Sequence, residues 1–410
     1  MKKLFSFYIG SFRGLPRRAW FLFLAQLVNA SGTMVIFFMT LYLTIKRELP
    51  LPMAGQAVGA FGVGSMAGTF FGGLLADRLG MYFIQKASLL LTGIFLLILA
   101  WELPFGVILI LCVFWGISNG MLFPANSSAM AAECPGKLRT RGFVMIRLAN
   151  NLGATVAPVI GGILAYYNYS LLFIVDAVSC FIAAIVLWIA FPEKGFHAHD
   201  DVAHDDAVKK TVQSASKKRS SFSASLATVK PLLFILLSTL ALTTIIGQIF
   251  STWAPYLRQT ENFSESQIGM LLAVSTMMIV FFQMPIIHAL ESRSHTIVAI
   301  TGALFYVVGF GILPLGHGVF WQLLSVFIWT WGEMLAFPSL MSFISDLAPR
   351  GKQGKYQGFF SLMFSMGIAV GPTLGTYIAH VYSWSALWYA TSSLGIAAAV
   401  FLLLSRKPVA

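Results

Sequence analysis

Long apolar runs, separated by short breaks that contain Gly, Pro or Asn, organise this chain from end to end. They cover approximately 19–45, 53–76, 83–101, 104–131, 140–167, 169–191, 231–257, 266–290, 296–315, 319–345, 356–380 and 384–405. Each supplies the roughly twenty residues needed to cross a hydrocarbon core of about 30 Å. The pattern predicts twelve membrane spans. Barrel strands would be short and alternating. Continuous runs must satisfy their backbone groups within the segment, which in lipid means helices. The expected fold class is therefore an all-α integral membrane protein.

One stretch breaks the pattern. Residues 193–221, EKGFHAHDDVAHDDAVKKTVQSASKKRSS, are polar, charged and low in complexity, and they divide the spans six and six. The expected organisation is an N-terminal segment 1–18, a first bundle 19–191, a linker 192–230, a second bundle 231–405 and a tail 406–410. Sliding the second half onto the first by 214 residues pairs Tyr42 with Tyr256, Gly55 with Gly269 and Phe123-Pro124 with Phe337-Pro338. The same shift pairs Gly153 with Gly367, Pro158 with Pro372 and Gly161 with Gly375, and sets Asp77 opposite Glu291. Gly and Pro positions shared without a gap point to two six-helix bundles related by pseudo-two-fold symmetry.

Composition and charge sharpen this. The chain is 58% hydrophobic and 10% charged, against about 25% charged in soluble domains. Of its 27 Lys and Arg, all but Lys46, Arg47 and Arg258 fall on the side of the termini and the 192–230 linker. The positive-inside rule makes that side cytoplasmic. The net charge of +12 thus follows from topology and not from nucleic-acid binding. The N-terminal stretch is interrupted by charges and lacks the form of a cleavable signal. Cys112, Cys134 and Cys180 show no paired spacing for metal or disulfide chemistry. In HAHDDVAHDD, 197–206, imidazoles and carboxylates suit a weak divalent-metal site, but the composition favours a solvated linker.

Two parallel six-helix repeats joined by a polar linker resemble the major facilitator superfamily, whose halves hold substrate between them. The loop GGLLADRLG, 72–80, resembles that superfamily's signature turn through Gly73, Leu75, Asp77, Arg78 and Gly80. The resemblance implies a conformational latch formed by Gly73, Asp77, Arg78 and Gly80, with Asp77 accepting hydrogen bonds from a helix N-terminus; an ordinary helix-connecting turn is the other reading. Met81 and Tyr82 stand where the family loop continues with basic residues. GATVAPVIGG, 153–162, resembles the fifth-helix element of proton-driven drug exporters, with Ala157 in place of one glycine. GIAVGPTLG, 367–375, is its repeat. Gly153, Pro158, Gly161, Gly162, Gly371 and Pro372 are expected at a helix interface that either rocks or is static small-residue packing, because proline bends a helix and small residues admit close approach. Gly116 occupies the place where the exporter pattern has an arginine in the fourth span. Arg147, beside Asn150 and Asn151, is the membrane cation nearest to filling that gap, or else snorkels toward the cytoplasm.

Of fifteen acids, only Asp176 and Glu333 fall well inside apolar runs, where ionised groups are costly and mark transport pathways. Both are candidates for proton coupling. Glu333 lies mid-span, and the repeat sets Asn119 at the same place in the first half. A carboxyl group there can take up and release a proton as water access alternates. A neutral Glu333 bonded into the packing is the other reading, and Asp176 is read evenly between the two roles. Candidate cavity residues are Asn119, Phe123, Gln26, Asn29, Phe37, Gln248, Trp253, Gln283, Trp331 and Arg147, since an aromatic cavity with few polar groups suits amphipathic ligands.

No phosphate-binding loop and no nucleophile–base constellation is legible, so an enzyme or an ATP-driven pump lacks its chemistry. The expected function is secondary transport, in the sense of proton-coupled export of small amphipathic or drug-like compounds from a bacterial inner membrane. A metabolite exporter, such as one for a siderophore, a nutrient importer, and a sensor or scaffold that retains the fold are the alternatives. The implied partners are a small-molecule substrate and the lipid bilayer, with no cofactor beyond the proton gradient, no nucleic acid and a monomeric state.

Overall fold

The computed structural model describes residues 14–192, 226–290, 292–348 and 353–405. The His/Asp-rich stretch, Glu291 and the extreme termini lie outside the described residues. Among the described residues twelve helices are long and apolar enough to cross a membrane. We label these α1 (Arg17–Gly32 and Val35–Leu41, then a π-helical turn Tyr42–Lys46), α2 (Leu51–Leu79), α3 (Met81–Leu99), α4 (Phe105–Glu133), α5 (Arg139–Tyr167) and α6 (Ser170–Ala190). The second half comprises α7 (Leu226–Ser251 and Trp253–Thr260), α8 (Glu265–Leu290), α9 (His295–Gly311), α10 (Gly318–Leu347), α11 (Gln353–Val381) and α12 (Trp384–Leu404). The connections follow turn chemistry. Pro50 and Pro104 open α2 and α4, and Gly80, at φ +90°, carries the chain from α2 directly into α3.

Within the first half, α2 packs on α4, α4 on α3, α3 on α6, and α6 on α1, which also meets α5. The second half repeats this order through α8, α10, α9, α12 and α7, with α11 against α7. The halves meet through α2 with α11 and α5 with α8. These two seams are related by the repeat. A Cβ on Gly55 would stand 2.7 Å from the carbonyl of Pro372, and one on Gly269 would collide with the carbonyl of Pro158. Each motif proline therefore presents its carbonyl to a glycine of the other half, and bare backbone on both sides permits the approach.

Two spans read from hydropathy as continuous are broken. In α1 the break falls at Thr33–Met34, and its cause is distant in the chain. Asp176 of α6, almost fully buried, accepts a hydrogen bond from the Val35 amide at 3.3 Å, where the second segment of α1 begins. Gly32 lies so close to α6 that a Cβ there would collide with the Ser179 side chain, and Asn29 accepts from the Cys180 thiol at 3.4 Å. Asp176 thus sits on the α1–α6 contact. Asp176→Ala would strand the Val35 N–H in a dry site, at about 1–3 kcal/mol. The expected result is a lower melting temperature for the purified protein, with Asp176→Asn, which keeps an acceptor, falling less. An unchanged melting curve for the Ala variant would remove this role.

Candidate functional site

The lipid-facing side of α10 is marked by Phe320, 79% exposed, and Phe327. At 100° per residue Glu333 lies roughly 120–140° around the helix from both, facing the interior. Gly332 packs on Gly302 and Tyr306 of α9, and Thr330 donates to Ser275 of α8 at 2.9 Å, so Glu333 projects between those two contacts. The buried ring of Tyr306 stands beside it, its hydroxyl without a hydrogen-bond partner. Among the described residues the Glu333 carboxylate makes no ion pair or hydrogen bond. Asn119, its repeat mate, holds the matching position on α4, opposite the outward Ile110 and Phe114.

The interior is closed at one end. Take the end of the bundle that carries the chain termini as the basic end and the other as the far end. At the far end Tyr169 donates to Glu265 at 2.7 Å, Ser266 donates to the Gly162 carbonyl at 3.3 Å, and Thr373 donates to the Gly55 carbonyl at 3.5 Å. All three bonds join one half to the other. Burial, followed by the bond to Glu265, raises the Tyr169 phenol, which keeps it protonated and donating. Arg258 adds an ion pair to Glu265 at 3.6 Å. Phe37 of α1 and Phe250 of α7 meet at 5.3 Å and extend this contact inward. Toward the basic end the halves part. Phe123, on the interior side of α4, is 67% exposed. Arg147, Leu148 and Asn151 of α5 there face Val280 and Gln283 of α8 across a cleft.

The candidate residues fall into separate places. Glu333, Asn119, Phe123, Arg147 and Gln283 belong to the interior faces and the open cleft. Gln248 is buried packing and donates to the Gly371 carbonyl at 2.9 Å, while Trp253 is wholly buried at the break of α7. Trp331 neighbours Glu333 in sequence but lies roughly 160° around the helix, against Phe305 and the outward Phe327. Asn29 and Asp176 belong to the α1–α6 contact. Gly153 and Gly161 press on α1 and Gly371 on α7, inside their own halves, while Gly162 meets Glu265 of α8 across the interface. Asp77 and Arg78 are exposed and unpaired among the described residues. Gly73 approaches Pro124 of α4.

Gln26 belongs to something that hydropathy does not reveal. Gln85 donates to Asn126 at 2.6 Å, Asn126 donates to Gln26, and Gln26 donates to Asn150. Four carboxamides from α3, α4, α1 and α5 thus form one directional chain. The repeat places Ala299, Leu340, Leu240 and Phe364 at the same positions in the second half. That asymmetry is the only sequence signal the chain offers.

A two-lobed twelve-helix bundle with an interior acid is a general transporter plan, and family comparison narrows it. The model of the Major Facilitator Superfamily matches residues 22–362 and 236–410. The chain belongs to this superfamily. It is 26% identical over 380 residues to "Uncharacterized MFS-type transporter YttB" of Bacillus subtilis (strain 168), with 91% of each chain covered. To "Quinolone resistance protein NorA" of Staphylococcus aureus (strain MSSA476) it is 23% identical over 357 residues, covering 86% of this chain and 87% of that protein. Among solved structures, a peptide transporter POT in complex with sulfate superposes with a TM-score of 0.76 at 18% identity, covering 96% of this chain and 94% of that one, which shows the shared fold. The protein is a multi-pass superfamily transporter for a small molecule and not an enzyme.

Proposed function

We propose that the protein is a proton-coupled exporter of amphipathic small molecules, with Glu333 as the residue that takes up and releases the proton. The observation that carries this reading is a carboxyl group on the interior face of α10, beside Tyr306 and with no counter-ion among the described residues. An acid held there without a partner answers to water access, and in an alternating-access cycle that access changes sides. The similarity to a quinolone resistance protein supports export of drug-like compounds. The positive-inside rule makes the basic end cytoplasmic, so the described state is open inward and sealed outward.

Everted membrane vesicles test the reading. With their lumen acidified, they are expected to accumulate ethidium, and to lose it when nigericin collapses the pH gradient. Vesicles that accumulate no member of a panel of amphipathic dyes under the gradient would set the export reading aside.

A further inference from the structure

The cleft between α5 and α8 holds more polar chemistry than packing requires. Arg147 and Asn151 enter from α5 and Gln283 from α8, flanked by Val144, Leu148, Ile279, Val280 and Met284. Among the described residues none of the three polar side chains has a hydrogen-bond or ion-pair partner. Gln283 is 9% exposed, and its amide lines the cleft without a partner among the described residues, free to bond to a group that enters.

Of the other membrane acids, Asp176 and Glu265 have partners, while Glu333 has none among the described residues but lies on α10, away from this cleft. Asp176 accepts from Val35, Glu265 holds Tyr169 and Arg258, and Glu333 stands by Tyr306. Among the described residues Arg147 therefore has no carboxylate of its own. In the described state water at the open end can solvate it, but closure of that end would bury an uncompensated cation.

We propose that Arg147, with Asn151 beside it and Gln283 across the cleft, receives an anionic group, a carboxylate, carried by an amphipathic substrate. A guanidinium forked against a carboxylate, with two amides donating to its remaining lone pairs, gives the donors of all three side chains an acceptor at once. Because the site is shared by the two halves, a bound carboxylate also ties α5 to α8 and favours closure of the basic end. The apolar body then lies toward α10, where Glu333 attracts a basic nitrogen, so zwitterionic or acidic amphiphiles are bound more tightly than simple lipophilic cations such as ethidium, which are still carried. This inference rests on the interior cleft being the substrate path.

Matched probes decide it. Dansyl-phenylalanine and its carboxamide differ in charge at one group, and their binding to the purified protein in nanodiscs can be followed by dansyl fluorescence. The acid is expected to bind roughly ten- to hundredfold more tightly than the amide, as one charge-assisted contact implies. Arg147→Gln should erase that preference, Arg147→Lys should keep part of it, and Gln283→Leu, on the other half, should reduce it without touching the cation. Equal binding of acid and amide, binding of neither, or a preference that survives Arg147→Gln would overturn the assignment. Ethidium accumulation in vesicles reports separately on export, so a failed acid preference with intact ethidium uptake would remove the carboxylate site alone.

Discussion

Proteoliposomes bearing Glu333→Gln are expected to lose all gradient-driven accumulation of substrate while still exchanging it between two pools at equal pH. Glutamine keeps the volume and polar reach of the side chain but cannot release a proton, so binding and helix movement survive while coupling does not. Glu333→Asp draws the carboxyl group back by one methylene. A displacement of that size is expected to slow driven uptake roughly ten- to hundredfold without abolishing it. The paired measurement is uptake under an imposed pH gradient and counterflow without one. Gradient-driven accumulation by the Gln variant at the wild-type level would show that Glu333 is packing, bonded in some state to a neighbour such as Tyr306.

The second large effect concerns α2, whose glycines face two partners. A Cβ on Gly68 would collide with the carbonyl of Ile117 on α4, inside the first half. One on Gly59 would stand 2.9 Å from the carbonyl of Ala369 and 2.5 Å from the Thr373 hydroxyl on α11, across the halves. Backbone cannot step aside as a flexible side chain can, so valine at either place costs about 1–3 kcal/mol or more. For Gly68→Val that cost falls on the fold, and a clearly lowered melting temperature and poor yield are expected. For Gly59→Val it falls on the state closed at the far end, and a penalty of that size shifts the balance of states roughly ten- to hundredfold toward opening there. A cysteine placed at Gln56 should then react faster with an impermeant maleimide from the far side, against the low background of three buried native cysteines. If both variants merely unfold, or labelling is unchanged, the division of labour along α2 is wrong.

The number of spans and their repeat were legible in the sequence because both depend on local facts. Lipid forbids unpaired backbone over about twenty residues, and glycines and prolines at matched positions betray a duplicated plan. Glu333 stood out for the same reason, since a single acid in a long apolar run needs no partner to be noticed. What stayed hidden depends on contacts between distant residues. The break in α1 involves Asp176, 141 residues away from Val35. Gln26, Asn126, Gln85 and Asn150 are ordinary one at a time and become a chain only when four helices come together. Trp331 shows the converse error, where closeness along the chain suggests closeness in space but the helix turns the ring to the other side. The α2 glycines were readable, at spacings of four in 55–59 and 64–68–72, yet spacing alone does not say which helix each approaches.

The carboxamide chain through the first half has an electrical consequence. Asparagine and glutamine donate and accept hydrogen bonds, but they neither gain nor lose a proton in any pH range a cell visits. Four polar side chains at membrane depth thus stitch α1, α3, α4 and α5 together without offering a hydronium ion a place to rest. A junction built of such groups is an insulator between these four helices, and with Glu333 carrying the proton as proposed it holds them in register without adding a further proton-binding step.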